Sequence, residues 1–131
     1  QAFLGIRQIE RAPWVAARRN ENHKMYAEKL RGTVRFQEWG DNVPVSISFG
    51  AIANSKTHRK EIVTRLVANG IETRIFSAGN LGRHPFWLDS YDEFAHEVSD
   101  MIHSKGFFIP NYPELTEEDI DFICDVVKGI E

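Results

Sequence analysis

Arg74, Asn80, Arg83 and His84 crowd into one glycine-punctuated stretch, with Gly79-Asn80-Leu81-Gly82 at its centre. An amide offers a donor and an acceptor to a hydroxylated ligand, while a guanidinium and an imidazole meet carboxylate or phosphate. Pro85 follows, and Phe86 and Trp87 add rings that could wall a site or stack on a flat group. Loops of this composition are where proteins touch ligands. The plainer reading is that Asn80 and Gly82 make a turn and both arginines are surface cations. Tyr112, flanked by Pro110 and Pro113, sits on a stiff loop from which its phenol could reach the same place.

Other reactive side chains invite plainer explanations. His96, Asp100 and His103 recur at helical offsets, and two imidazoles with a carboxylate could hold a transition metal. Phe94, Val98, Met101 and Ile102 fall on the opposite side of the same predicted helix. The trio is therefore expected to face solvent, without the supporting hydrogen bonds of a metal centre. Cys124 lies on the apolar face of the last predicted helix and reads as a buried thiol rather than a nucleophile. No nucleophile elbow, Walker loop, dinucleotide fingerprint or H-E-x-x-H motif occurs, and the two loop glycines fall short of a full phosphate-binding pattern.

The elements that must position these groups follow from periodicity and punctuation. A helix over residues 2–30, kinked near Pro13, ends at Gly32. Strands at 33–39 and 43–53 flank a Gly40-Asp41-Asn42 turn. Ser55 or Thr57 caps a helix with Ile62, Val63, Leu66 and Val67 on its apolar face, closed by Asn69-Gly70. A third strand over 73–77 leads into the glycine loop. Ser90 or Asp92 then caps a helix that carries Phe94, Ala95, Val98, Met101 and Ile102 toward the core and stops at Gly106. A buried strand at 107–109 and a turn at 110–113 precede a helix with Thr116 and Asp119 as its capping box. That helix is expected to bury Ile120, Ile123, Cys124 and Val127. The order predicts an α+β fold: a two-layer sandwich with helices packed on a mainly antiparallel sheet of three or four strands.

The 131 residues suit a single domain with a real core, and 42% apolar with 27% charged residues is the balance of a globular protein. No apolar run approaches a membrane span and no signal peptide opens the chain, so no membrane partner is expected. A lone Cys124 excludes an internal disulfide and fits a reducing compartment, which makes the cytoplasm the expected location. Basic residues dominate up to Arg74 and acidic ones from Asp89 to Asp125. Solvated helix faces explain this, as does a basic half that meets a phosphate-bearing ligand or an acidic surface. Nucleic acid is not expected, because no RNA-binding or helix-turn-helix signature accompanies the charge. The chain opens at Gln1 in what already reads as helix, without an initiator Met, as a piece of something longer would.

Three segments bear a family resemblance. The run from Gln1 to Arg11 resembles a "QAA-x-G-x-x-QL-x-R" helix, with Arg18-Arg19-Asn20 as its continuation. The run from Gly70 to Trp87 resembles "GI-x-TR-x-x-x-AGNL-x-R-x-P-x-F", and Phe108 to Thr116 resembles a "Y-P-G-L-T" element. In this order they are similar to the C-terminal part of the DegT/DnrJ/EryC1/StrS family, pyridoxal-phosphate (PLP) sugar aminotransferases of fold type I with related sugar 3-dehydrases. The resemblance implies that residues 1–131 form the small C-terminal domain that closes over an active site built mostly by a larger one. The Schiff-base lysine, or the histidine that replaces it in dehydrases, lies upstream, as does the aspartate that pairs with the pyridine nitrogen. Lys24, Lys29, Lys56, Lys60, Lys105 and Lys128 match neither context. The resemblance thus implies a chain that holds PLP only as part of a complete enzyme and is inactive alone.

By the same resemblance, Asn80, Arg83 and His84, with Arg74 at the loop's base and Tyr112 at the rim, are the residues that approach a nucleotide-linked sugar. Glu114 stands where the family commonly has Gly, and Ser77 and His84 also depart from its commonest residues. The implied partner is a large PLP-binding domain or a second copy. The other reading is a stand-alone sugar-nucleotide-binding or assembly module, or one subunit of a split enzyme. Pairing of that kind should leave Trp14 or its neighbours exposed.

Overall fold

A computed structural model describes residues 2–130; Gln1, the first residue of the family-like helix, lies outside the described residues. Helix α1 (Ala2–Lys29) runs as one helix through Pro13, whose missing N–H falls at an exposed position. Four strands follow: β1 (Arg35–Phe36), β2 (Ser48–Ile52), β3 (Arg74–Ile75) and β4 (Gly106–Pro110). Between them come α2 (Lys56–Ala68), a 3-10 turn (Leu81–Arg83), α3 (Pro85–Leu88) and α4 (Glu97–Lys105), and α5 (Glu117–Lys128) closes the order. The strands form one four-stranded antiparallel sheet in the order β1-β2-β4-β3. The expected α+β sandwich is therefore the observed one.

Alternation decides which sheet face is covered. Phe49 and Ala51 of β2 and Phe107 and Ile109 of β4 point to one side and are buried, with Phe49 opposite Ile109 in register. Tyr26 and Leu30 of α1, Ile62 and Leu66 of α2, and Ile120, Ile123, Cys124 and Val127 of α5 close over them. Burying each large apolar side chain is worth about 1.5–3 kcal/mol, so this layer is the main source of stability. Phe108, from the other side of β4, is only half-buried.

Helix ends obey their predicted caps where the cap is local. Ser55 Oγ accepts from the His58 N–H at 3.0 Å, and Thr116 and Asp119 form the reciprocal capping box of α5. Arg65 reaches from α2 to donate to the Val126 and Val127 carbonyls, both at 2.9 Å, satisfying the otherwise open end of α5.

Three expectations need correction. The strands are shorter than 33–39, 43–53 and 73–77. Val43, Val45 and Ile47 stay exposed around Pro44, where no strand pairs with them, and β3 ends because Ser77 and Ala78 turn into left-handed backbone. The helix expected from Ser90 or Asp92 begins only at Glu97, capped by His96. Upstream, side chains have claimed the carbonyls: Trp87 Nε1 donates to Asp92 O and Asn80 Nδ2 to Phe94 O, both at 2.9 Å. Consequently Phe94 and Val98 are exposed rather than in the core, and α4 contributes no buried residue. Pro110, finally, closes β4 instead of opening the turn.

No helix among the described residues is long and apolar enough to cross a membrane.

Candidate functional site

The uncovered side of the sheet carries a cleft of ≈580 Å³ between α1 and the β3–β4 edge. Phe108 and Ile75 contribute apolar floor, and Arg19, Glu72, Arg74 and Tyr112 contribute polar wall. Glu72 and Arg74 are two apart on an extended segment, so both side chains leave on one side. Arg74 Nε and Nη2 donate to Glu72 Oε1 at 3.0 and 2.7 Å, and the Tyr112 hydroxyl donates to Glu72 Oε2 at 3.0 Å. Arg74, with a second hydrogen bond from Tyr112, draws the Glu72 carboxyl below its usual range. The same bond to Glu72 raises the Tyr112 phenol above its usual value.

Loop 111–115 is fastened to α1, which is how Tyr112 reaches the cleft. Asn22 Nδ2 donates to the Tyr112 carbonyl at 2.7 Å, and Asn111 Nδ2 donates to Ser46 O at 2.8 Å and Arg19 O at 3.3 Å. Arg18 donates to the Pro113 and Leu115 carbonyls at 3.3 and 2.9 Å. Arg19, the next residue, lines the cleft with a buried Nε that has no partner among the described residues.

The other three predicted residues form a second cluster, on the loop that leaves β3. Asn80 is buried (4% exposed). Its Nδ2 donates to Asp100 Oδ1 at 2.8 Å, and its Oδ1 accepts the Gly82 N–H at 2.9 Å. Arg83 grips Asp100 with two bonds, Nε to Oδ1 and Nη2 to Oδ2, each 2.9 Å, and pairs with Glu93 as well. Arg83 first, then Asn80, hold the Asp100 carboxyl well below the usual carboxylate range. His84 Nε2 donates to the Ala78 carbonyl at 2.6 Å. Close packing makes glycine necessary twice here: a Cβ on Gly79 would collide with the His103 ring, and one on Gly82 with Phe94. Ser77, Ala78 and Gly79 lie in succession in left-handed backbone, with φ of 42°, 65° and 68°. For the two with side chains this costs on the order of 1–3 kcal/mol each. Ser77 lines the cleft, so this strained turn joins the two clusters.

The predicted residues therefore divide, with Arg74 and Tyr112 at the cleft and Asn80, Arg83 and His84 in the loop network. Of the trio expected to face solvent, His96 and His103 are exposed, whereas Asp100 is half-buried and anchors the loop; His103 Nδ1 accepts the Asn80 N–H at 3.2 Å, and His96 caps α4. No three of His, Cys, Asp or Glu form a metal-ligand group among the described residues. Cys124 is buried, and that burial pushes its thiol up to about 12. Glu72 and Arg19 escaped the sequence reading. Their signals were the Glu-x-Arg alternation before the loop and an arginine pair ahead of Asn20, either of which also suits a solvated surface.

The α+β fold that carries this cleft is the one seen in solved structures of PLP-dependent sugar enzymes. The chain belongs to the DegT/DnrJ/EryC1/StrS aminotransferase family, whose sequence profile matches residues 1–128. GDP-4-keto-6-deoxy-D-mannose 3-dehydratase of Escherichia coli is 25% identical over 131 residues, 95% of this chain and 34% of that protein. The lipopolysaccharide biosynthesis protein RfbH of Salmonella typhimurium is 27% identical over 135 residues, 94% of this chain and 30% of its own length. The solved structure of the E. coli dehydratase with bound hydrated PLP matches with a TM-score of 0.81 at 22% identity, covering 94% of this chain and 33% of that one. The chain spans about a third of the length of the relatives it matches.

PLP is the cofactor of this family, and covalent capture of it requires a lysine amine. No lysine is among the residues lining the cleft, and Lys29 is committed to Asp121 at 2.5 Å. The residues lining the cleft do not fit a Schiff-base site.

Proposed function

We propose that this chain is the substrate-side part of a PLP-dependent nucleotide-sugar aminotransferase or 3-dehydratase, and that it is inactive alone. The observation that carries this reading is the Arg74–Glu72–Tyr112 cluster over an apolar floor on the sheet's open face. Glu72, kept ionised by its two donors, accepts hydrogens from sugar or ribose hydroxyls. Arg74, 75% exposed along its side chain, retains N–H groups for a diphosphate, and Arg19 offers a second cation from the opposite wall. Phe108 and Ile75 supply flat apolar area. Asn80 and Arg83 act through the shape of their loop, and His84 stands beside the same turn. A cytoplasmic location belongs to the same proposal, as the compartment suited to reactions on nucleotide-activated sugars.

The test is titration of the ¹⁵N-labelled chain with GDP, UDP and dTDP. At least one diphosphate should perturb the amides of Ser77, Ile75 and Phe108, and Arg74→Ala should abolish that response. If none of the three perturbs the cleft, the reading fails.

A partner that supplies the reaction centre is supported by α1. Phe3, Leu4, Ile6, Ile9 and Trp14 are all exposed along its first half, more apolar surface than a lone domain ordinarily leaves in water. The larger PLP-binding domain, in the same polypeptide or a separate one, or a second copy, covers this helix. Alone, the chain should self-associate in sedimentation or enhance the fluorescence of an apolar dye. A monomer that binds no dye would remove the argument for an obligate partner.

A further inference from the structure

We propose that Asp100, on α4, is a positioning residue for the cleft. By gathering Asn80, Arg83 and the His96 amide onto one carboxylate, it holds the left-handed turn at 77–79 that carries Ser77 to the cleft rim. Its functional consequence rests on the reading above; the structural part stands by itself.

The turn is fixed at two ends. At one, Phe76 stacks on Phe108 with ring centroids 4.5 Å apart, and Gly79 N donates back to Phe76 O at 2.8 Å. At the other, the Asn80 and Arg83 side chains both end on Asp100, the acceptor they share. Two residues with side chains lie between these ends in backbone that favours glycine, and a turn freed at either end would relax out of it. Glu93 pairs with Arg83 but accepts nothing from Asn80, so it is no substitute for Asp100. The anchor is itself well seated. Asp100 lies on a helix that runs without a break into β4, whose Phe108 is cleft floor. The network therefore joins the loop side of the cleft to its floor. His103 supports it by accepting the Asn80 N–H, which places its own proton on Nε2.

Amide hydrogen exchange on the full chain tests the proposal. In Asp100→Asn, exchange at Asn80, Gly82, Arg83 and His84 should accelerate about tenfold or more, while Phe49, Ile109 and Ile123 remain as in the parent protein. Adding Ala78→Gly should restore part of the protection, because glycine removes the backbone penalty that the lock opposes. Unchanged loop exchange would overturn the proposal. So would acceleration spread evenly over loop and core, since that is a general loss of stability. If Asp100→Asn does not fold, Asp100→Glu serves: it should keep the Arg83 pair and loosen Asn80 and Gly82 alone. Protection at both, equal to the parent's, would be equally fatal. Nucleotide response is a separate readout: if the parent answers a diphosphate, Asp100→Asn should weaken the shift at Ser77. If the parent answers none, the functional reading falls while the exchange data still decide the lock.

Discussion

Glu72 takes hydrogen bonds from a guanidinium and a phenol while remaining half open to water, and the two do not weigh equally on it. Arg74 is the larger cause of its lowered pKa and Tyr112 the smaller. A carboxyl depressed in the folded state contributes stability above its unfolded pKa, and that contribution is lost as pH falls through the folded value. The carboxyl carbon of Glu72, followed by NMR, should therefore titrate below the ordinary 4.5. Tyr112→Phe should raise the midpoint and Arg74→Ala should raise it further; the reverse order would put the phenol first. Arg74 and Tyr112 were legible in sequence because one opens a glycine loop and the other stands between prolines. Glu72 was not, since a lone acid beside an arginine looks the same on any solvated strand. Asp100 was misread because the helix carrying it was started too early, which made its exposed apolar neighbours look like a core face.

At the level of elements, caps separate what local chemistry dictates from what tertiary contacts override. Thr116→Ala removes the α5 capping box and should cost about 1 kcal/mol in urea denaturation. Ser90→Ala should stay within about 0.5 kcal/mol, because α4 begins at Glu97 and Ser90 caps nothing. Equal losses at the two sites would contradict the assigned start of α4. The helices α1, α2 and α5 were readable because each writes its stops into adjacent residues, but Val67, expected on the apolar face of α2, is exposed. Strand lengths were not: β1 and β3 are each two residues long, ended by where a neighbour stops pairing and by a left-handed turn that no propensity announces.

On the scale of the molecule, the stabilising core and the proposed binding cleft occupy opposite faces of one sheet. Phe49 is fully buried and packs against Tyr26 of α1 and Phe36 of β1, with centroids 5.1 and 5.4 Å away. Phe49→Ala should destabilise by about 3–5 kcal/mol. Phe108→Ala, on the cleft side, should cost less and instead blunt the response to a nucleoside diphosphate. A larger loss of stability at Phe108 than at Phe49 would reverse the assignment of the two faces. The α+β class was predictable from the order of elements, but which face stays open was not, because that depends on register between residues far apart in the chain.

The ties between α1 and loop 111–115 set a schedule. Helix α1 leaves the ribosome long before β4 and the loop that follows it, so Asn22 and Arg18 must wait for carbonyls not yet made. Until then the central strand of the sheet is missing, β2 and β3 cannot be joined, and Tyr112 is absent from its wall. The cleft therefore exists only after nearly the whole described chain has emerged, which keeps a half-made chain from offering a half-made site.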